Sequence, residues 1–328
     1  MIRRNGMPDL LSRLGIERPV LQAGMGGGLA TSALAVAVCD AGGLGTIGIL
    51  PPEVLRAEIA AARAQTSKPL AVNLIVPLAR RTHWEVAGKA DVVITHWETS
   101  PKRRTVRTWI HTVGNGDEAM AAVAAGADAV IAQGVDAGGH TRGTVSALET
   151  LDQVLHRVGP HFPVIVAGGI ATAADVQTAL EAGAAAAVAG TAFLATEESG
   201  AHPGYKQRLV ESNETVLTEL FGMGWPHAPH RIMTNAATRR WLTDAPRGPA
   251  RVRRLHALLS AAGRLTPMAA QLRRAERASS GALYLTPAAP VVGMPPETLD
   301  THPLYAGETV ARITGIRPAT TVLKDLTP

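Results

Sequence analysis

The chain has 328 residues, of which 46% are hydrophobic and 18% are charged. This composition excludes a disordered protein and allows a large buried core. The single cysteine, Cys39, excludes a disulfide framework and a cysteine-based zinc site. No apolar run reaches the roughly 20 residues of a membrane helix, and none follows the basic N-terminus, so we expect a cytoplasmic protein without a membrane span.

The formal net charge of +5 is concentrated in one region of the chain. Eleven arginines lie between Arg231 and Arg277, against two acidic residues. An arginine-rich surface can bind nucleic acid. The region lacks the interleaved aromatic residues and glycine-rich segments of nucleic-acid recognition motifs, so a solvated helical surface is the favoured interpretation.

Short apolar runs alternate with helical patterns over the first two thirds of the chain. Most runs are continuously apolar, as in parallel strands that are covered on both faces. They predict eight strands, at residues 19–23, 44–49, 70–76, 91–97, 106–113, 129–134, 163–168 and 186–190. The helical patterns fall at residues 32–41, 52–65, 117–125, 145–158 and 173–182. This alternation predicts an α/β protein with a TIM (β/α)8 barrel, and an open doubly wound sheet is the alternative.

Two parts of the chain depart from this regular pattern. Residues 98–105 are too few for a crossover helix, which needs at least about 10–12 residues, so either that corner is irregular or one strand assignment is wrong. After residue 222 the alternation stops, and a linker precedes arginine- and alanine-rich helical segments and a proline-rich tail. We therefore predict a barrel over residues 1–222, and a small helical cap subdomain with a tail that packs back on the barrel over residues 223–328.

Glycine clusters fall at the predicted carboxyl ends of the strands, where barrels of this kind bind ligands. Gly168 and Gly169 follow the seventh strand, and Gly190 and Thr191 follow the eighth. Together they resemble a phosphate site built from the last two βα loops, although glycines there can also serve only as tight turns. The segment after the first strand lacks the third glycine of a dinucleotide-binding motif, which argues against a Rossmann fold.

Several short motifs, taken in order along the chain, resemble the nitronate monooxygenase family. They are Gln22-Ala-Gly-Met25, Ala41-Gly-Gly-Leu-Gly45, Val72-Asn-Leu74, Gly126-Ala-Asp-Ala-Val-Ile-Ala-Gln-Gly134, Ala137-Gly-Gly-His140, Val166-Ala-Gly-Gly-Ile170, Ala195-Thr-Glu-Glu-Ser199 and Pro303-Leu-Tyr-Ala-Gly307. The resemblance implies a TIM barrel that binds FMN without a covalent link. It also implies roles for individual residues, because the family's site motifs can be matched position by position.

Three groups of residues match the family's flavin site. The segment Ala23, Gly24 and Met25 is expected against the isoalloxazine ring. Asn73 and Gln133 are expected to contact the flavin. The ribityl phosphate is expected on the glycines that match the family's phosphate loops and on one threonine, namely Gly139, Gly168, Gly169, Gly190 and Thr191.

The histidine that matches the family's catalytic base is His140. It ends a Gly-Gly turn after a predicted strand, and an imidazole suits the removal of a proton next to a nitro group. Six other histidines are interpreted as structural, namely His83, His96, His156, His161, His202 and His256. The pair His227 and His230 has a spacing that could hold a metal but lacks further ligands nearby, so we expect no metal site.

The resemblance implies a nitronate or a nitroalkane as the small-molecule substrate and O2 as the oxidant. The first alternative on the same FMN barrel is an NAD(P)H-dependent reductase of enoyl thioesters or quinones. It is supported by Gly24, because an enoyl reductase branch of the family has glycine where many members have proline. A basic nucleic-acid-binding protein is the distant alternative. The use of NAD(P)H and the oligomeric state stay open.

Overall fold

A computed structural model describes residues 10–98, 106–223, 225, 227–243, 246–265, 270 and 285–328. Eight parallel strands form its central sheet: β1 (Val20–Gln22), β2 (Gly45–Ile47), β3 (Leu70–Ile75), β4 (Val92–His96), β5 (Thr108–Val113), β6 (Ala129–Gln133), β8 (Val164–Ala167) and β9 (Ala186–Ala189). All eight strands predicted from the sequence are present. Each strand is one to three residues shorter than predicted, because the apolar runs continue into the loops.

The sheet closes into a barrel between its first two strands. Each strand pairs in parallel with its neighbours, and β1 pairs with β9 from Val20 opposite Ala187 onward. Between β1 and β2, the Gln22 N–H donates to Leu44 O at 3.0 Å, and the Leu44 N–H donates to Val20 O at 3.2 Å. The TIM barrel prediction is therefore confirmed, and the open doubly wound alternative is wrong.

The link between β4 and β5 is short, as the sequence indicated, but both strand assignments are correct. β4 and β5 pair in parallel from Val92 opposite Thr108 to Thr95 opposite His111. Most of the link, with its basic residues Lys102 to Arg104, lies outside the described residues. The preceding link contains a short helix, α4 (Arg81–Ala87).

Helices surround the barrel on its outer face. They are α2 (Ser32–Asp40), α3 (Pro52–Arg63), α5 (Gly116–Ala124), α6 (Ala147–Val158), α7 (Ala173–Glu181) and the short α8 (Thr191–Leu194), while α1 (Leu10–Leu14) lies at the N-terminal end. Leu10 and Leu14 join the apolar cluster inside the barrel, which includes Leu21, Leu44 and Ile110. This cluster fills the N-terminal half of the barrel interior, so the carboxyl ends of the strands are left for a site.

A second, antiparallel sheet lies beyond the barrel and was not predicted. It contains β10 (Thr215–Thr218), β11 (His230–Met233), β12 (Leu304–Tyr305) and the two-residue strand β7 (Gly139–His140). The prediction of a linker followed only by helices is wrong at β11, where a strand replaces the first expected helical segment. Because β7 belongs to the loop after β6, this sheet is hydrogen-bonded directly to a barrel loop.

The C-terminal part contains both helices and extended segments. α9 (Pro203–Glu211) precedes β10, and α10 (Ala236–Trp241) and α11 (Ala250–Leu265) follow β11. After the undescribed stretch come α12 (Thr298–Thr301), a 3-10 helix (Glu308–Arg312) and α13 (Ala319–Asp325). The tail contacts the barrel through the Gly307 N–H, which donates to Thr191 Oγ1 at 2.9 Å. None of the helices in the described ranges has the length and apolar character needed to cross a membrane.

The arginine-rich region divides into exposed and buried members. Arg239, Arg240 and Arg251 are exposed on α10 and α11, while Arg273, Arg274 and Arg277 lie outside the described residues. Arg231 is 8% exposed, and its Nε donates to Val135 O at 2.9 Å. The interpretation of the region as one solvated surface is therefore wrong for Arg231, which connects β11 to the barrel.

We predict that Leu21→Ala destabilises the barrel strongly. Leu21 is fully buried inside the barrel, and removing a buried leucine side chain costs about 2–5 kcal/mol through lost transfer free energy and the cavity that remains. Denaturant unfolding measures the change. Leu258→Ala is the matched control because Leu258 is 77% exposed, and equal losses in the two variants would contradict the described interior.

Candidate active site

Alternation along the barrel strands places four polar side chains inside the mouth of the barrel. Every second residue of a strand faces the same side of the sheet, and Ala71, Ile94, Ile110 and Ile131 belong to the interior cluster. The inward-facing polar residues nearest the carboxyl ends of these strands are therefore Asn73, His96, Thr112 and Gln133. Two of these four are residues that the family resemblance assigned to the flavin.

Both polar atoms of the Asn73 side-chain amide form hydrogen bonds within the protein. Its Nδ2 donates to Gly24 O at 2.7 Å, so its Oδ1 is the acceptor, and this oxygen lies 2.9 Å from His96 Nδ1. The His96 Nδ1 therefore carries a proton, and its Nε2 is the acceptor nitrogen of the neutral ring. Burial lowers the pKa of His96 to about 3, with a smaller effect from His111. The sequence interpretation of His96 as structural missed its place at the mouth.

Gly24 lies where a side chain has no room. A Cβ at this position would lie 2.2 Å from Asn73 Cβ and 2.9 Å from Thr46 Cγ2. Its neighbours Ala23 and Met25 continue the chain from β1, and the Ala23 N–H donates to Ala189 O at 2.9 Å. The first predicted flavin-binding segment therefore packs directly against Asn73.

Gln133 fixes the backbone around His140. Its Nε2 donates to His140 O at 3.1 Å, and its Oε1 accepts from the Arg142 N–H at 2.9 Å. On the other side, β7 pairs with β11, so that His140 lies opposite His230. His140 is thus held between a barrel strand and the second sheet, and Gln133 acts on the protein backbone at this position.

The imidazole of His140 lies within an aromatic cluster formed by Trp97, Trp225, His230 and Tyr305. Its ring centroid is 4.0 Å from that of Trp225 and 4.9 Å from that of His230. Tyr305 lies at 5.6 Å and Trp97 at 6.5 Å. His140 Nε2 is buried and has no hydrogen-bond partner in the described part of the molecule.

This surrounding keeps the His140 ring neutral. Burial is the largest cause that lowers the pKa of His140 well below its ordinary value, and the neighbouring His230 and His96 lower it further. His230 is fixed in one tautomer, because its Nε2 accepts from the Phe221 N–H at 3.3 Å and its Nδ1 donates to Ala228 O at 2.9 Å. A neutral imidazole with an unpartnered nitrogen can accept a proton, which is the property required of a base.

The predicted phosphate-binding residues come together at the ends of β8 and β9. Gly168 and Gly169 turn the chain with φ values of +121° and +73°. A Cβ on Gly139 would meet nothing within 4 Å, and one on Gly190 would meet only Ala23 Cβ, at 3.6 Å. Over the part of the chain that the structure describes, the N–H groups of Gly169 and Gly190 find no hydrogen-bond acceptor. Gly139 and Gly190 thus leave space for an anion, and the N–H groups of Gly169 and Gly190 are free to donate to it.

A carboxylate that the sequence analysis missed, that of Asp136, lies against the glycine turn at Gly168 and Gly169. Asp136 Oδ1 is buried without a hydrogen-bond partner among the described residues. It would lie 2.4 Å from a Cβ on Gly168, and Asp136 Oδ2 would lie 3.1 Å from one on Gly169. Burial is the largest cause that raises the pKa of Asp136. Asp136 lies between two of the family motifs, residues 126–134 and residues 137–140. Its position in the loop after β6 could therefore have indicated from the sequence that it lies near the site.

Four buried polar atoms without a hydrogen-bond partner among the described residues lie at the carboxyl end of the barrel. Besides Asp136 Oδ1 and His140 Nε2, the buried hydroxyls Thr46 Oγ1 and Thr112 Oγ1 have no partner in the described residues. Buried polar atoms in folded proteins are nearly always hydrogen-bonded, so these four atoms are candidates for contact with a polar ligand.

His227 and His230, whose spacing could hold a metal, have other partners. Both nitrogens of His230 are occupied by backbone groups, and His227 Nδ1 lies 3.9 Å from Glu219 Oε2. Across the described residues, no group of three His, Cys, Asp or Glu side chains could hold a metal ion.

A family model described as nitronate monooxygenase matches the chain over residues 8–107 and 86–328. The chain belongs to the nitronate monooxygenase family. The nitronate monooxygenase of Pseudomonas aeruginosa is 34% identical over 292 residues, covering 70% of this chain and 82% of the relative. The chain is therefore an enzyme of the oxidoreductase class, as the sequence resemblance implied.

Other relatives have different substrates in their names. An octahydro-indene-carboxyl-CoA dehydrogenase of Mycobacterium tuberculosis is 33% identical over 273 residues, covering 79% of this chain and 74% of the relative. Among solved structures, a nitroalkane oxidase from Streptomyces ansochromogenes is 30% identical with a TM-score of 0.75, covering 96% of each chain. FabK from Thermotoga maritima is 29% identical with a TM-score of 0.74, covering 97% of this chain and 94% of that one.

We predict that the buried, neutral His230 makes stability depend on pH. Burial lowers the pKa of His230 to about 4 in the folded protein, from an ordinary value of 6.5. As the pH falls below 6.5, His230 becomes protonated in the unfolded chain but stays neutral in the folded protein. The free energy of unfolding therefore decreases progressively down to about pH 4, by up to about 3 kcal/mol.

Urea unfolding at a series of pH values measures this loss in the wild type and in His230→Asn. The variant should show a smaller decrease between pH 6.5 and 4, whatever its stability at neutral pH. His156→Asn is the control because its side chain is 82% exposed. An unchanged pH slope in His230→Asn would show that the folded ring titrates normally.

Proposed function

We propose that this protein is an FMN-dependent nitronate monooxygenase that oxidises a nitronate or a nitroalkane with O2. The observation that carries the proposal is His140, a neutral imidazole at the mouth of the barrel whose buried Nε2 has no hydrogen-bond partner among the described residues. Membership of the nitronate monooxygenase family supports the substrate class. The protein is also proposed to act in the cytoplasm.

The residues at the mouth fit a bound FMN. Gly139 and Gly190 offer space for its phosphate, and the N–H groups of Gly169 and Gly190 offer donors, beside Gly168 and the start of α8 at Thr191. Ala23, Gly24 and Met25 would face the ring system, and Asn73 and Gln133 would contact it. When bound, FMN takes up electrons from the substrate and passes them to oxygen, which is redox chemistry that no side chain supplies.

The protein contributes a base, His140, that is held in position and shielded from water. With a nitroalkane, His140 Nε2 takes the proton from the carbon that bears the nitro group, and the electron pair of that C–H bond moves into the nitro group. A nitronate already lacks this proton, so it needs no base. Gln133 and the pairing of β7 with β11 hold the His140 backbone, and the aromatic cluster keeps water away from the ring.

A second candidate function is the NAD(P)H-dependent reduction of an enoyl thioester on the same barrel. The relative from M. tuberculosis acts on a carboxyl-CoA by its name, and FabK matches nearly the whole chain in structure. Gly24 favours this second function, because the enoyl reductase branch has glycine at the matching position. The packing of Asn73 also requires a glycine there. NAD(P)H oxidation with crotonyl thioester, against oxygen uptake with a nitronate, distinguishes the two functions.

We predict that the purified protein shows a flavin absorption spectrum and that His140→Asn keeps it. The variant should lose at least about 100-fold in oxygen uptake with nitroethane, the scale of general base catalysis, because no other group receives the proton. Turnover of pre-formed ethylnitronate should fall much less. His161→Asn, an exposed histidine, is the control. Full nitroethane turnover in His140→Asn would remove the base assignment.

We also predict that Asp136 makes FMN binding pH-dependent. Burial raises its pKa, so the side chain is protonated at low pH and becomes anionic as the pH rises. The carboxylate lies against the glycines proposed for the phosphate, so its ionisation repels the phosphate and weakens binding. Asp136→Asn should bind FMN about tenfold more tightly at high pH, or about 1.4 kcal/mol.

Flavin fluorescence during titration of the flavin-free protein measures the dissociation constant from about pH 4, near the ordinary pKa of 3.8, up to about pH 9. The wild type should lose affinity over this range more steeply than Asp136→Asn. Asp128→Asn is the matched control, because Asp128 pairs with Arg13 at the opposite end of the barrel. Parallel pH profiles in the wild type and Asp136→Asn would exclude an effect of this carboxylate on the phosphate.

A further inference from the structure

Two of the five tryptophans stand apart from the hydrophobic core. Trp84, Trp109 and Trp241 are buried members of apolar clusters, whereas Trp97 and Trp225 belong to none of those formed by the described residues. Both instead contact His140. The indole of Trp225 stacks on the imidazole with ring centroids 4.0 Å apart and an interplanar angle of 19°. Trp97 meets Trp225 edge-on at 5.1 Å and 72°.

The two tryptophans come from opposite sides of the site. Trp97 directly follows β4 and has a φ of +60°, a conformation that bulky residues rarely adopt and that often marks functional sites. The guanidinium of Arg142 lies 4.5 Å above its ring. Trp225 lies on the connection between β10 and β11, where its N–H donates to Gly222 O at 3.0 Å.

This arrangement leaves a restricted approach to the base. Trp225 covers one face of the His140 ring, and a proton reaches Nε2 in the plane of the ring, where the nitrogen lone pair points. The carbon that loses its proton must then place its substituents beside the indoles of Trp97 and Trp225. The size of those substituents is limited by the same rings that bury Nε2.

We infer that Trp225 is a specificity-determining and positioning residue: its indole, supported by Trp97, restricts the group on the reacting carbon to a small one and excludes water from His140. This inference rests on the proposed function, because it assigns His140 as the base. The titratable groups that face the imidazole are His230 from β11, His96 from β4 and Tyr305 from β12, with Arg142 beyond Trp97. Burial raises the pKa of Tyr305, so the rings around His140 carry no charge at neutral pH.

The first experiment needs no turnover. Histidine NMR on the purified full-length protein follows the titration of His140, whose signal is assigned by its loss in His140→Asn. In Trp225→Ala, water reaches the ring, and the pKa of His140 should rise toward its ordinary value of 6.5. Trp225→Phe retains a stacked ring and should change the titration little. A folded Trp225→Ala protein with an unchanged His140 titration overturns the inference.

The second experiment compares substrates of increasing length. The ratio of kcat/KM for 1-nitrohexane to that for nitroethane should rise at least about tenfold in Trp225→Ala, because the space of the indole receives the added methylenes. The acid limb of the pH profile should also move to higher pH, since the base must be neutral. Trp241→Phe, in a core cluster away from the barrel mouth, controls for the loss of a tryptophan.

The two experiments separate this inference from the proposed function. If the wild type turns over neither nitroalkane, the proposed function fails, and the NMR titration still tests the shielding of His140 by Trp225. If nitroalkanes are turned over and the length ratio does not change in Trp225→Ala, the specificity role is wrong. Trp225→Leu replaces Trp225→Ala in both experiments if the alanine variant does not fold.

Discussion

The short antiparallel pairing of β7 with β11 is the interaction on which the candidate active site depends. In most of the barrel, the loops after the strands lead directly to helices. After β6, however, residues 139 and 140 form a strand that pairs with His230 and Arg231 of a second sheet. Gln133 fixes the same segment from the barrel side. Few backbone hydrogen bonds thus set the position of the imidazole relative to the glycine turns at the ends of β8 and β9.

Burial on both sides of this pairing explains the electrostatics of the site. His96, His140 and His230 are all shielded from water, and in each case burial is the largest cause of the lowered pKa. Because three neutral imidazoles lie close together, protonation of one disfavours protonation of the others. The three imidazoles are therefore neutral at neutral pH. Hydrogen bonds from the backbone and from Asn73 set the tautomers of His230 and His96.

The barrel could be predicted from the sequence because its strands are buried on both faces and read as continuous apolar runs. The second sheet could not, since β7 and β12 have two residues each. β11 begins with His and Arg, whose partners are remote in the chain. His96 was recoverable, because counting every second residue from Val92 places it inside the barrel mouth. Trp225 was not, because its segment reads as a linker and only tertiary structure brings it onto His140.

Arg231 links the two halves of the site. Its Nε donates to Val135 O, and its guanidinium pairs with Glu308 at 2.9 Å. Glu308 in turn donates its N–H to Asp136 O at 3.0 Å, and the adjacent Gly307 donates to Thr191 Oγ1. One buried guanidinium thus connects β11, which pairs with the His140 segment, to the loop before Asp136 and to the tail at Glu308. One set of hydrogen bonds therefore joins the strand beside His140 to the loop and tail beside Thr191, and a displacement of either region strains that set.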